Sequence, residues 1–238
     1  MKKLRTNLKA IVIIASVIAM VRPVANAQSD TTKKSCVDFI TNVDLYSRYL
    51  WRGAQYGNGP AIQPTLKMTC KNFTLGAWGS LQADGQFPET DLFVSYTLPK
   101  GFTLTVNDYF VSVAEPTTGN YFEYDENLTS HVLEGALAYT GPEKFPISVS
   151  VGYNFYAITG AKDAIYSEIS YPIKNLTLYV GAGNKPFYAG KEDFAVISTG
   201  VKITKSIEIT DKFSLPVTGQ IMINPNTKNI YYAVGFSF

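Results

Sequence analysis

The segment from Lys228 to Phe238 alternates almost without fault. Ile230, Tyr232, Val234, Phe236 and Phe238 fall on one face, and Asn229, Tyr231, Ala233, Gly235 and Ser237 on the other. A period of two over about ten residues is what a tilted membrane-crossing β-strand needs when one face meets lipid and the other meets water. Tyr232, Val234, Phe236 and Phe238 have the spacing of a signal read by an outer-membrane barrel-assembly machinery. A strand of this kind cannot stand alone, because lipid leaves no backbone group unpaired and only closed barrels satisfy that with strands.

At the other end, Lys2, Lys3, Arg5 and Lys9 precede an apolar run from Ala10 to Val21, and Ala25-Asn26-Ala27 supplies small residues for cleavage. The pattern predicts a secretory signal peptide over residues 1–27, because the run is too short to cross a bilayer as a helix. Cys36 lies well past that run, which argues against lipidation. Removing residues 1–27 takes five of the 21 basic side chains and none of the 19 acidic ones. Sixteen basic against nineteen acidic groups leave a formal charge of −3, so no nucleic-acid partner is implied.

Residues 28–37 read as a mobile periplasmic lead-in, and residues 38–238 as one all-β domain: a transmembrane up-and-down antiparallel β-barrel of about twelve strands. The first strand is expected from Asp38 to Arg52, with Phe39, Val43, Leu45, Tyr49 and Trp51 on one face and Asn42, Asp44, Tyr46, Arg48 and Arg52 on the other. Short turns follow at Lys71-Asn72, Pro99-Lys100-Gly101 and Asp211-Lys212. The longest loop, Ser112 to Asn127, carries Glu115, Glu123, Asp125 and Glu126. No helix is evident downstream of the leader.

Alternation alone does not say which face is inside. A lipocalin-like soluble barrel would put the apolar face inward. The polar faces carry Asp44, Arg48, Lys67, Asp91, Glu134, Glu168 and Lys202, too many charges to pack as a dry core and suited to a hydrated lumen. Aromatics also gather near strand ends, at Tyr49, Trp51, Tyr96, Tyr139, Tyr153, Phe155 and Tyr171, where interfacial girdles lie. The expected location is the outer membrane of a Gram-negative cell.

Four runs in succession, Ser47-Arg48-Tyr49-Leu50-Trp51-Arg52-Gly53, Gly59-Pro60-Ala61-Ile62-Gln63-Pro64, Leu75-Gly76-Ala77-Trp78-Gly79-Ser80 and Glu89-Thr90-Asp91-Leu92-Phe93-Val94-Ser95-Tyr96, resemble the opening of the TorF family of Gram-negative outer-membrane proteins. That resemblance covers about fifty residues. The porin label of that family implies a passive pore.

The inward charges Asp44, Arg48, Arg52, Lys67, Asp91, Glu134, Glu168 and Lys202 are the candidate lumen-lining and selectivity residues. In a hydrated bore they tune which ions pass; in a filled one they form an internal ion-pair network. The expected function is therefore diffusion of small hydrophilic solutes through a narrow lumen, in a monomer surrounded by outer-membrane lipid. The alternative is a closed structural or surface-binding barrel.

Enzyme chemistry finds little support. His131 is the sole histidine and its parity puts it with Leu133, Leu137 and Tyr139 on the outward face. One His and two separated Cys give no metal-ligand spacing, and no cofactor-binding signature is present. Cys36 and Cys70 fall near the periplasmic ends of the first two strands. A disulfide between them and two unpaired thiols both fit, and counting from the first loop puts Cys36 some residues below Cys70.

Overall fold

The computed structural model describes residues 36–112, 119–158 and 160–238. The expected signal peptide and most of the lead-in lie outside the described residues. Twelve strands form one closed antiparallel barrel: β1 (Val37–Tyr46), β4 (Ala61–Cys70), β5 (Phe73–Gln82), β6 (Glu89–Thr97), β7 (Phe102–Val111), β8 (His131–Thr140), β9 (Ser148–Tyr156), β10 (Ile165–Ile173), β11 (Leu176–Gly183), β12 (Ala195–Thr210), β13 (Phe213–Asn224) and β14 (Asn229–Ser237). Each pairs with its neighbours in the chain, and β1 meets β14 to close the wall. Two short strands, β2 (Tyr49–Trp51) and β3 (Ala54–Tyr56), pair only with each other.

Period two decides the faces. Leu66, Leu75, Leu104, Leu137, Val151, Ile169, Leu178, Ile203, Ile221 and Val234 are all exposed on the outside. Gln63, Ser80, Asp91, Glu134, Asn154 and Ser198 are buried on the inside. Polar groups inside and apolar groups outside invert the soluble arrangement. Aromatic rings collect toward the end with the tight turns, where Phe102 and Tyr139 pack in a tilted pair with centroids 4.9 Å apart and Phe73 faces Tyr96 across β5 and β6.

The two rims differ in length. One is made of tight turns at residues 71–72, 99–101, 174–175 and 211–212, and Lys71, Lys100 and Lys174 take positive φ there. The other carries the longer connections, including residues 47–60, 112–130 and 184–194. The last of these contains a five-residue helix, α1 (Lys185–Ala189), where no helix was expected. Pro186 supplies the fixed φ of a first turn and Gly190, in the left-handed region, ends it after one turn. A run this short leaves no helical periodicity to read.

Inward-facing aromatics line the wall. Phe93 covers Gly76, Tyr166 covers Gly181, Tyr179 covers Gly200 and Tyr46 covers Gly235, each ring lying where a Cβ would collide with it. The glycines thereby allow a neighbouring strand's ring to lie flat on the wall.

Cys36 and Cys70 are joined by a disulfide. Val37 sits directly opposite Cys70, so the two cysteines are neighbours at the end of the β1–β4 ladder. The sequence count misplaced Cys36 because it ran the first strand on to Arg52.

Candidate functional site: a hairpin inside the lumen

The expected first strand stops at Tyr46. Up to that point β1 pairs with β4 without interruption, ending at Tyr46 opposite Ala61. Pairing then resumes at Tyr49 opposite Tyr56, with two more residues on the returning arm. The tip of the first hairpin is thus bent as a unit at residues 47–48 and 57–60 and enters the barrel. Its two-residue turn, Arg52-Gly53, has positive φ at both positions (44° and 87°), as the tightest hairpin turns require.

This geometry corrects four assignments. Tyr49 and Trp51 are not members of an interfacial girdle: Tyr49 is buried, its ring tilted against Trp78 of the inner wall at 5.4 Å, and Trp51 lies edge-on to Tyr109 at 5.5 Å. Arg48 is not a wall position but sits at the bend, where its Nη1 donates to the Ser47 carbonyl at 2.8 Å. Arg52 stands at the tip of the inserted hairpin. Alternation missed the break because an inward hairpin pairs with itself and keeps the same period.

Arg52 is the centre of the site. Its Nη1 and Nη2 donate to the two carboxylate oxygens of Glu134 on β8, at 2.5 and 3.0 Å. The carboxylate is wholly shielded from solvent and the guanidinium nearly so. Nη1 also donates to the Tyr188 hydroxyl at 2.5 Å. Trp51 and Tyr166 sandwich the guanidinium, with ring centroids 4.5 and 4.7 Å from Cζ. Glu134 accepts three further bonds, from Tyr109 Oη at 2.8 Å, Asn107 Nδ2 at 3.2 Å and Tyr188 Oη at 3.4 Å. Burial pushes the Tyr188 phenol up to about 12, so it remains a donor. A buried charge pair survives only when its remaining hydrogen-bonding capacity is filled in this way.

The backbone of the tip is held on the far side. Asn224 Nδ2 on β13 donates to the Gly53 carbonyl at 3.0 Å, and Gly53 lies so close to the Ile197 carbonyl of β12 that no Cβ fits. The base is held as well: Asp84 Oδ2 accepts from the amides of Asn58 and Gly59 at 2.6 and 2.8 Å, and Oδ1 from Gln86 at 3.0 Å. These amides hold the Asp84 carboxyl below the usual range. Through β5, β7, β8, β10, β12 and β13 the hairpin touches walls all round the bore.

The other candidate lumen residues keep the inward parity expected of them. Asp44, Lys67, Asp91, Glu168 and Lys202 lie on the same faces as buried Gln63, Ser80 and Ser198. Glu168 and Lys202 share with Arg52, Ser150, Tyr179 and Gln220 a polar cavity of about 260 Å³ beside the hairpin. Tyr166 donates to Glu168 at 2.6 Å and Gln220 to Tyr179 Oη at 2.8 Å. Glu89, absent from the sequence-based set, is buried on the same inner face two residues before Asp91.

His131 has the outward parity expected, yet lipid does not reach it. Residues 121–124 fold over it, so that it is fully buried, stacked on Tyr124 at 4.5 Å. Its Nδ1 meets Asp108 Oδ1 at 2.7 Å and its Nε2 donates to the Tyr121 carbonyl at 2.6 Å. Loop cover of this sort leaves no trace in strand periodicity.

Fold and site together define a closed twelve-stranded antiparallel barrel with a polar interior occupied by its own first hairpin. The family model Gcw_chp, described as a bacterial protein of unknown function, matches residues 30–214, and the chain belongs to that family. No curated protein matches it.

Proposed function

We propose that this protein is an outer-membrane channel for small hydrophilic solutes whose bore is closed at rest by the β2–β3 hairpin, with the Arg52–Glu134 pair as its latch. The observation that carries the reading is a hairpin inserted into a polar lumen, with its tip tied to the wall by the buried Arg52–Glu134 pair. A barrel wall needs no such device for its own stability, since its backbone pairs strand to strand. The apolar exterior supports the membrane setting, the export reading of residues 1–27 supports the compartment, and the resemblance to TorF-family proteins points the same way. Tyr232, Val234, Phe236 and Phe238 stay on the outward face of β14, open to recognition during assembly.

With the hairpin removed, as in the replacement below, the inner wall presents Asp44, Glu89, Asp91, Glu134 and Glu168 against Lys67 and Lys202. An excess of carboxylates in a hydrated constriction favours cations. Twelve strands make a bore narrower than that of sixteen-stranded porins, so only small solutes pass, through a single monomeric barrel.

The test is conductance of the purified, refolded chain in planar bilayers, beside a variant with residues 48–58 replaced by a short Gly-Ser turn. The replacement is expected to convert rare, brief openings into sustained cation-selective steps. Silence of that variant, with its heat-modifiable gel migration intact, would establish instead a closed structural barrel.

A further inference from the structure

The seam between β1 and β14 is unfinished. Paired positions run only from Asp44 opposite Ser237 to Tyr46 opposite Gly235, extended by backbone bonds between Val43 and Phe238 and by Ser47 N–H donating to the Val234 carbonyl at 2.8 Å. Beyond Ser47 the ladder is abandoned. The Val234 amide turns to the Ser47 hydroxyl at 3.0 Å, and the Ser47 carbonyl is taken by Arg48. Bonds to β1 come from Phe238, Phe236 and Val234, so the next rungs belong to Tyr232 and Ile230. On the side opposite β13, no strand among the described residues pairs with them: Tyr232 and Ile230 are about 70% exposed (74% and 69%), against 40–48% for Phe236 and Val234. A free edge at the level of the apolar belt leaves backbone groups without partners, which lipid penalises.

The missing partner is present in the chain. Continuing the β1–β14 register one for one sets Tyr49 opposite Tyr232 and Trp51 opposite Ile230, all four pointing outward. Arg48, Leu50 and Arg52 then point inward. This is the alternation that made Asp38 to Arg52 read as one strand. In the lumen that alternation is not needed, since a three-residue arm buried on both sides imposes no two-faced pattern. The bend between the two ladders offers a hinge, with Gly57 at positive φ and Gly59 beside it.

We propose that the hairpin has two seats: the lumen, where Arg52 is latched to Glu134, and the free edge of β14, where Ser47–Trp51 straightens β1, completes the seam and clears the bore. This rests on the channel reading above and supplies its open state. The edge seat gives backbone partners to Tyr232 and Ile230 and puts Tyr49 and Trp51 beside them on the outward face. The lumen seat supplies the charge pair and the aromatic sandwich. Each seat satisfies groups that the other leaves bare, as a two-position element requires.

The test is the full chain, carrying Trp51→Cys with Ile230→Cys, reconstituted in liposomes and treated with a mild oxidant. In the lumen seat these side chains lie on opposite sides of the wall. On the edge they form a directly opposed pair within the span that a disulfide bridges. A second pair, Tyr49→Cys with Tyr232→Cys, guards against misfolding of the first. The expected result is a 51–230 or 49–232 linked peptide in mass spectra, formed faster in the Arg52→Ala background, together with sustained conductance. Absence of both links, while each single cysteine still labels with maleimide and the barrel keeps its heat-modifiable migration, would overturn the second seat. If the residue 48–58 replacement conducts and neither link forms, the channel stands and the seat falls. If a link forms and no current flows, the seat stands and the channel reading falls.

Discussion

Glu134→Gln removes the charge of the latch while keeping its shape. The carboxylate has no exposure and binds Arg52 through two bonds, so the variant leaves a guanidinium inside the barrel facing a neutral amide. Breaking a buried pair by removing one partner costs about 3–5 kcal/mol. That loss falls on the latched seat alone, because a withdrawn Arg52 is hydrated. At about 1.4 kcal/mol per factor of ten, the equilibrium shifts toward the open state by roughly two to three and a half powers of ten. Trp51, Tyr166 and Tyr188 still hold the guanidinium, which places the expected shift at the lower end. Single-channel recording of open probability is the assay, run for Glu134→Gln, Arg52→Gln and the double variant. The two single effects should overlap strongly, with a coupling of at least about 1 kcal/mol in the double-mutant cycle. An open probability unchanged in both single variants, or effects that simply add, would refute the latch.

Three further outcomes follow from other parts of the structure. Because backbone amides hold the Asp84 carboxyl below its ordinary value, its grip on Asn58 and Gly59 is complete above the ordinary carboxylate range and is lost as pH falls through the lowered value. Open probability should therefore rise on acidification below that range, and Asp84→Asn should flatten the dependence. Gly200→Val would drive a side chain into the Ile221 carbonyl and the Tyr179 hydroxyl, costing about 1–3 kcal/mol in urea unfolding from detergent, whereas Gly219→Val, with nothing within 4 Å, should cost nothing measurable. Replacing Cys36 and Cys70 by Ser should lower stability by about 2–4 kcal/mol in the same unfolding assay while leaving conductance unchanged, because the bridge lies at the rim opposite the hairpin.

Most of the wall was legible in the sequence because period two is a direct record of its two environments. The turn at Lys71-Asn72, the hairpin around Asp211-Lys212 and the inward parity of Asp44, Lys67, Asp91, Glu134, Glu168 and Lys202 all follow from it. What period two does not record is which strand lies alongside. Tyr49 and Trp51 alternate like wall residues and end up against Trp78 and Tyr109, since pairing within a hairpin satisfies the backbone as well as pairing within a barrel does. Arg52 was picked out for its charge, yet its partner across 82 residues could only be found in space. Gly53, directly after the expected strand, was the available clue, because a glycine takes the positive φ of a tight hairpin turn at no steric cost. The cover over His131 and the single turn at Lys185–Ala189 depend on contacts between loops, which leave no period at all.

The disposition of the first hairpin is also compatible with a simple way of closing the cylinder. Its inner arm belongs to the same ribbon as β1, and the wall is completed sideways where β1 receives β14. No loop has to be threaded through a finished ring. The tip needs only to lean over the growing sheet and be walled in when the final seam is sewn, and a chain whose tip leaned the other way would make the same cylinder with a vacant centre.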